Sequence, residues 1–241
     1  MHSRWPDHRD GGSVLTLADV RVRAADETTP LLEVPRLEVA AGERIVVRGP
    51  SGAGKSLLLS VLAARLLDGL TLTGRRDAPG LERVGFVPQR GIEAFHPLIR
   101  LGRQLRVVTG ADRTRAGDAL ARVGLGDPRL RRRRPAELSG GQAQRAAIAL
   151  AVLSGAGLVV ADEPTSALDP QTRDEVLSLL TGALASGAAG APALVVSTHD
   201  PEVAAVLGAR RLEVRDGCIV ADIPAPCAPG AGASSAAGEG S

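Results

Sequence analysis

The sequence predicts an α/β fold: a phosphate-loop core with an antiparallel β subdomain toward the N-terminus and a helical insert. Three observations point to it. The short apolar runs Leu158 to Ala161 and Leu194 to Ser197 have the composition of strands buried on both faces. Helical stretches alternate with such strands, as they do around a largely parallel sheet. A glycine-rich loop, Gly49 to Ser56, lies between a strand and a helix.

The elements follow in order. Residues 1–13 read as a leader without order. Val14 to Arg23 alternates apolar and polar, the pattern of a strand exposed on one face. Leu31 to Val39 is a second strand, interrupted by Pro35. Arg44 to Val47 is a β-branched strand leading into the loop, and Ser56 to Leu67 reads as a helix. Short strands follow at Leu70 to Thr73 and Arg83 to Val87. From 96 to about 153, Leu, Ala and Arg recur at helical spacing, which marks the insert. Pro170 to Leu184 is a helix with proline at its first position, where the missing N–H costs nothing. Arg211 to Val214 and Ile219 to Ala221 form a closing pair. One folded domain is expected over 14–222. Residues 223–241 are almost wholly Ala, Gly, Pro and Ser and read as disordered.

Composition excludes several classes. With 241 residues the chain is long enough for one domain with a substantial core. It has 29 basic and 27 acidic residues, a formal charge of +2, so it is no general polyanion binder. No run of eighteen apolar residues is present to span a membrane. Met1 to Asp10 is polar and charged, unlike a signal peptide. Cys218 and Cys227 make no disulfide framework. One oddity remains: 28 of the basic residues are Arg and one, Lys55, is Lys, while Tyr is absent.

That lysine lies in the glycine loop. Gly49-Pro50-Ser51-Gly52-Ala53-Gly54-Lys55-Ser56 fits the pattern G-x-x-x-x-G-K-[ST]. Glycines let successive amides turn toward a phosphate, and the helix N-terminus adds its positive end. A compact ammonium reaches the β- and γ-phosphates where a broad guanidinium would not fit. The Ser56 hydroxyl suits Mg²⁺. The run Leu158-Val-Val-Ala-Asp162-Glu163 is a strand ending in two acids, one placed for Mg²⁺ and one for the attacking water.

Leu138-Ser139-Gly140-Gly141-Gln142 narrows the reading. Here the sequence resembles the ATP-binding subunits of ATP-binding cassette (ABC) transporters, over roughly Val14 to Asp222. The motif order agrees with that family: the loop at Gly49 to Ser56, Gln89, the signature at Leu138 to Gln142, Asp162 with Glu163, Ser166-Ala-Leu-Asp169, and His199. The segment from Gln89 through Phe95, Pro97 and Gly102-Arg-Gln104 further resembles the peptide and nickel importers of the family.

The resemblance implies ATP hydrolysis with Mg²⁺, in an ABC-type phosphate-loop fold. Gly49 to Ser56 would bind ATP, and Ser56, Gln89 and Asp162 would place the metal. Glu163, aided by His199 and Gln89, would be catalytic. Ser139, Gly140, Gly141 and Gln142 would complete the site of a second ATP-binding subunit across a head-to-tail dimer. Asp169 would belong to the loop that follows the acids. Partners would be membrane permease subunits and, for an importer, a solute-binding protein, at the cytoplasmic face of the cell membrane. The alternatives are an exporter ATPase and a soluble, non-transport ABC ATPase. The run Arg131 to Arg134 has no interleaved aromatics and reads as a solvated face, so no nucleic-acid partner is expected. The family's adenine-stacking aromatic is missing; Arg23 or Ala24 falls at its place, which predicts relaxed selectivity between ATP and GTP.

Overall fold

The computed structural model describes residues 12–25, 27–165, 170–185 and 191–226. Two antiparallel strands come first, β1 (Ser13–Ala24) and β2 (Leu32–Ala40). β3 (Arg44–Arg48) leads into α1 (Lys55–Leu62), and β4 (Leu70–Asp77) returns beside β1. β5 (Val84–Val87) is followed by the helices α2 (Leu101–Thr109), α3 (Arg113–Arg122) and α4 (Gly140–Leu153). Then come β6 (Leu158–Asp162), α5 (Pro170–Ala185), β7 (Ala193–Ser197) and α6 (Pro201–Leu207). β8 (Arg210–Arg215) and β9 (Cys218–Ile223) close the chain as an antiparallel pair.

The strands form one sheet in the order β4-β1-β2-β9-β8-β3-β7-β6-β5. From β8 to β5 every neighbour is parallel, while β4, β1 and β2 are antiparallel. A single parallel pair, Glu33 with Cys218, joins β2 to β9.

Alternation along the central strands divides the core in two. Val46, Val159, Ala161, Leu194 and Val196 face the cluster shared with the helices of the insert. Ile45, Val47, Leu158, Val160, Ala193 and Val195 face the cluster under α1 and the antiparallel strands. Burial on both faces explains why these strands read as unbroken apolar runs.

Several elements differ from the sequence expectation. Pro35 does not interrupt β2. It faces a kink in β1, where Asp19 has φ +50° and the β1–β4 register shifts, so its missing N–H breaks no regular ladder. α1 ends at Leu62 rather than Leu67. Ala64 turns left-handed at φ +52°, and Arg76 of β4 donates to the carbonyls of Val61 and Leu62. Burial lowers the pKa of Arg76. β4 extends to Asp77 as an edge strand whose charged end discourages further pairing. α6 was not expected, although Asp200-Pro201 is an N-cap followed by proline at the first helical position. The leader falls outside the described residues except for 12 and 13, and the C-terminal tail except for 223–226.

Candidate functional site

Parallel strands bring their carboxyl ends to one edge of the sheet, and that is where α/β proteins bind ligands. Here the order β3-β7-β6-β5 places four separate sequence stretches there. Gly49 to Ser56 follows β3, Gln89 follows β5, Asp162 ends β6 with Glu163 next to it, and His199 follows β7.

The phosphate loop is tightly held. Gly49 has φ +153°, and a Cβ there would lie 2.1 Å from the carbonyl oxygen of Val214. Only glycine fits so close to β8. Gly54 precedes α1, and no side chain caps the helix, which leaves the first-turn amides available to an anion. Lys55 is buried, and its Nζ donates to the carbonyls of Gly49 and Pro50, both at 2.9 Å. The same ammonium is 3.9 Å from Oε1 of Glu163.

The two acids are fixed by a residue that motif reading passes over. Asp162 pairs with Ser197 across β6 and β7. The Ser197 hydroxyl is fully buried, donates to Oδ1 of Asp162 at 2.5 Å and accepts from the Glu163 amide at 2.9 Å. That amide also donates to the Ser197 carbonyl at 3.1 Å. Glu163 has φ +40°, sparsely populated for a residue with a side chain, and the two bonds to Ser197 hold it there. Its Oε2 is 3.4 Å from Nδ1 of His199. One carboxylate thus lies between Lys55 and His199.

Gln89 and the signature residues meet elsewhere on this edge. A cavity of about 440 Å³ is lined by Gln89, Leu138, Gly140, Gly141 and Pro164, among others. Ser139 caps α4: its Oγ accepts from the Gln142 amide, and Gln142 Oε1 accepts from the Ser139 amide. The cap uses a lone pair of the hydroxyl and leaves its proton free. Ser139 and Gly140 are exposed, and, chain neighbours and the backbone of α4 aside, no described atom lies within 4 Å of where a Cβ of Gly140 or Gly141 would sit. Gln144 Nε2 donates to the Pro88 carbonyl at 3.3 Å, tying α4 to the loop that carries Gln89. Gln144 and Ser197 are the residues sequence reasoning missed. A polar residue ending an apolar strand was the available signal for Ser197. Asp169 lies outside the described residues.

Among the described residues no group of three or more His, Cys, Asp or Glu could hold a metal ion. A hydroxyl and one carboxylate, Ser56 and Asp162, nevertheless suit Mg²⁺, which keeps several waters and binds substrate phosphates with one or two carboxylates. Arg23, at the end of β1, is partly buried, and its Nε has no hydrogen-bond partner among the described residues.

Comparison with known proteins agrees with this geometry. A family model described as ABC transporter matches residues 32–166. The macrolide export ATP-binding/permease protein MacB of Bordetella avium (strain 197N) is 38% identical over 229 residues, 86% of this chain and 33% of that protein. MacB of Escherichia coli (strain K12) is 36% identical over 237 residues, 88% of this chain and 35% of that protein. The chain therefore spans about a third of the length of these curated relatives. Among solved structures, a dimeric post-hydrolysis state of the ATP-binding cassette MJ0796, bound to ADP and Pi, superposes with a TM-score of 0.73. It is 27% identical and covers 88% of this chain and 99% of its own. With the loop, the paired acids and the capped signature helix in one fold, the chain belongs to the ABC transporter family, as its ATP-binding domain.

Proposed function

We propose that the chain hydrolyses ATP to drive export through a membrane permease, from the cytoplasmic face of the cell membrane, with two cassettes closing head to tail on two ATP molecules. The observation that carries the proposal is the Glu163 carboxylate, 3.9 Å from Lys55 and 3.4 Å from His199 at the carboxyl edge of the sheet. Lys55 and the amides from Gly49 to Ser56 hold the phosphates. Ser56, Asp162 and Gln89 would hold Mg²⁺, which when bound would supply positive charge to the phosphates. Glu163 orients the water and takes its proton, and His199 steadies that carboxylate and the γ-phosphate. Lys55 exchanges its two carbonyl partners for phosphate oxygens. Ser139, exposed before α4, and Gly141, half-buried in its first turn, complete the partner's site, flanked by Gly140 and Gln142. The role of Asp169 rests on the family resemblance alone.

The curated relatives are named for macrolide export, and this supports the export alternative over peptide or nickel import. Their names join ATP-binding and permease functions, which supports a permease partner here. Among the described residues no helix is long and apolar enough to cross a membrane. A solute-binding protein has no support beyond the importer resemblance.

Glu163→Gln tests the chemistry. Phosphate release is expected to fall by about 10²–10⁴-fold, the usual contribution of a general base, while ATP binding persists. Undiminished hydrolysis contradicts the role. The direction of transport has its own test: cells lacking the chain should retain more labelled macrolide than the parent. Unchanged retention, with hydrolysis intact in the purified chain, returns the choice to import or to a non-transport ATPase.

A further inference from the structure

Seven arginines converge on one cavity in the helices between β5 and β6, and the nucleotide site uses none of them. The cavity has a volume of about 810 Å³, within the roughly 300–1,000 Å³ of small-molecule pockets. Arg100, Arg103 and Arg106 come from α2 and the residue before it, and Arg113 opens α3. Arg131, Arg132 and Arg134 come from the basic run between α3 and α4. No carboxylate lines the cavity, and Leu98 and Ile99 give it an apolar lip. Segments about thirty residues apart in sequence thus place like charges together.

Arg131 sits deepest in the argument for a ligand. It is half-buried, its Nε is closed off from solvent without a hydrogen-bond partner, and no acid pairs with it among the described residues. Its side chain fits between α2 and α3 because both helices offer glycine. A Cβ on Gly117 would lie 2.8 Å from Arg131 Nη1, and one on Gly102 would lie 3.1 Å from Arg131 Cβ. A buried polar atom left unsatisfied is destabilising, and neighbouring cations add repulsion. Arg210 and Arg173, by contrast, meet carboxylates: Arg210 pairs with Asp222 and Glu43, Arg173 with Asp200. Only part of the basic run is a solvated face; Arg133 is outside the lining and donates to the Glu137 carbonyl.

We propose that this cavity binds a multiply charged, phosphate-bearing anion. Guanidinium forks match phosphate oxygens two at a time, and a monoester phosphate carries a charge of about −1.5 to −2 near neutral pH, against −1 for a carboxylate. The volume exceeds that of one phosphate group and leaves room, beside Leu98 and Ile99, for an organic body. A lipid headgroup and a soluble phosphate share this chemistry.

The test uses the full chain with its phosphate loop saturated by MgADP, so that only a second site is read. The probes are inorganic tripolyphosphate, vesicles of phosphatidylglycerol in phosphatidylcholine, and a polyglutamate peptide. Saturable binding of at least one phosphate probe is expected, weakened about tenfold or more by Arg131→Ala, with MgADP affinity retained. Arg103→Ala combined with Arg132→Ala changes only exposed positions and should weaken it too, which covers the case that Arg131→Ala fails to fold. Tripolyphosphate binding alone assigns a soluble anion, vesicle binding alone a lipid headgroup, and binding of both the phosphate they share. The proposal is overturned if neither phosphate probe binds, if the arginine variants bind as the parent does, or if polyglutamate binds more tightly than either.

Discussion

Ser197 has a larger part in the site than its position in the chain suggests. Its hydroxyl joins the last residue of β6 to the next one: it donates to Asp162 and accepts from the amide of Glu163. Asp162 is thereby turned toward the loop edge, and Glu163 is held in its left-handed backbone state. Ser197→Ala removes the donor to Asp162 and leaves the Glu163 amide with the carbonyl of residue 197 alone. Burial makes the loss felt, about 1–3 kcal/mol of stability for a carboxylate deprived of its partner. The kinetic effect should be of similar size, because small displacements of catalytic groups cost about 10²-fold per ångström. Hydrolysis by the folded variant is expected to fall about 10- to 100-fold while MgATP still binds. Steady-state rates beside a binding titration check this, and an unchanged turnover number would show that the acids orient without Ser197.

At the scale of elements, α4 is bound to the loop after β5 by two contacts of different kind. Gln144 reaches the Pro88 carbonyl, and Gly91 lies against the backbone where α4 begins. A Cβ at Gly91 would come 2.4 Å from both the Ala143 carbonyl carbon and the Gln144 nitrogen, and neither is a flexible tip that can swing aside. Gly91→Val should therefore push the loop off the helix. It is expected to cost about 1–3 kcal/mol, as overpacking does, and to lower hydrolysis through Gln89 and Ser139 together. Chemical unfolding and phosphate release measure the two effects; a variant with parental values for both would mean that the contact relaxes freely. This joint was not legible in the sequence, whereas its ends were. The phosphate loop, the Asp162–Glu163 pair and the Ser139 cap each lie within a few consecutive residues, so their spacing announces them. Central strands were equally plain, since burial on two faces leaves only apolar residues. Ser197 carries only the faint signal of a polar residue ending an apolar strand. Gly91 and Arg131 depend on which helix becomes the neighbour, and nothing local encodes that. Pro35 misled for the same reason: its tolerance comes from the kink at Asp19 in another strand.

Across the whole molecule, the antiparallel strands and the parallel core meet at a narrow seam, the single pair Glu33 and Cys218 between β2 and β9. Arg210 reinforces it. From the first position of β8 it binds Asp222 of β9 through two nitrogens, at 2.6 and 2.5 Å. Its Nη1 also donates to the Glu38 carbonyl of β2 at 2.9 Å and to Glu43 at 3.0 Å. Burial pulls the Arg210 pKa down, and the hydrogen bonds to Asp222 and then Glu43 more than reverse it, so the net shift is upward. A raised pKa gives stability that is fully present below the unfolded value and lost only as pH rises through the folded one. For a guanidinium that range covers all working conditions, so the clamp has no alkaline switch near neutrality. Arg210→Ala strands the carboxylate of Asp222, whose side chain is 4% exposed, and loosens Glu43 beside it. Breaking a buried pair in this way costs about 3–5 kcal/mol. At about 2–4 °C per kcal/mol for a chain of this size, the melting temperature should drop by roughly 6–20 °C. Replacing both partners, Arg210→Met with Asp222→Leu, removes the stranded Asp222 charge and leaves Glu43 with the Ala40 amide, so it should recover part of the loss. Thermal melts of the three proteins decide it: a single variant that melts with the parent, or a double variant no better than the single, would place the strength of the seam in its apolar packing instead.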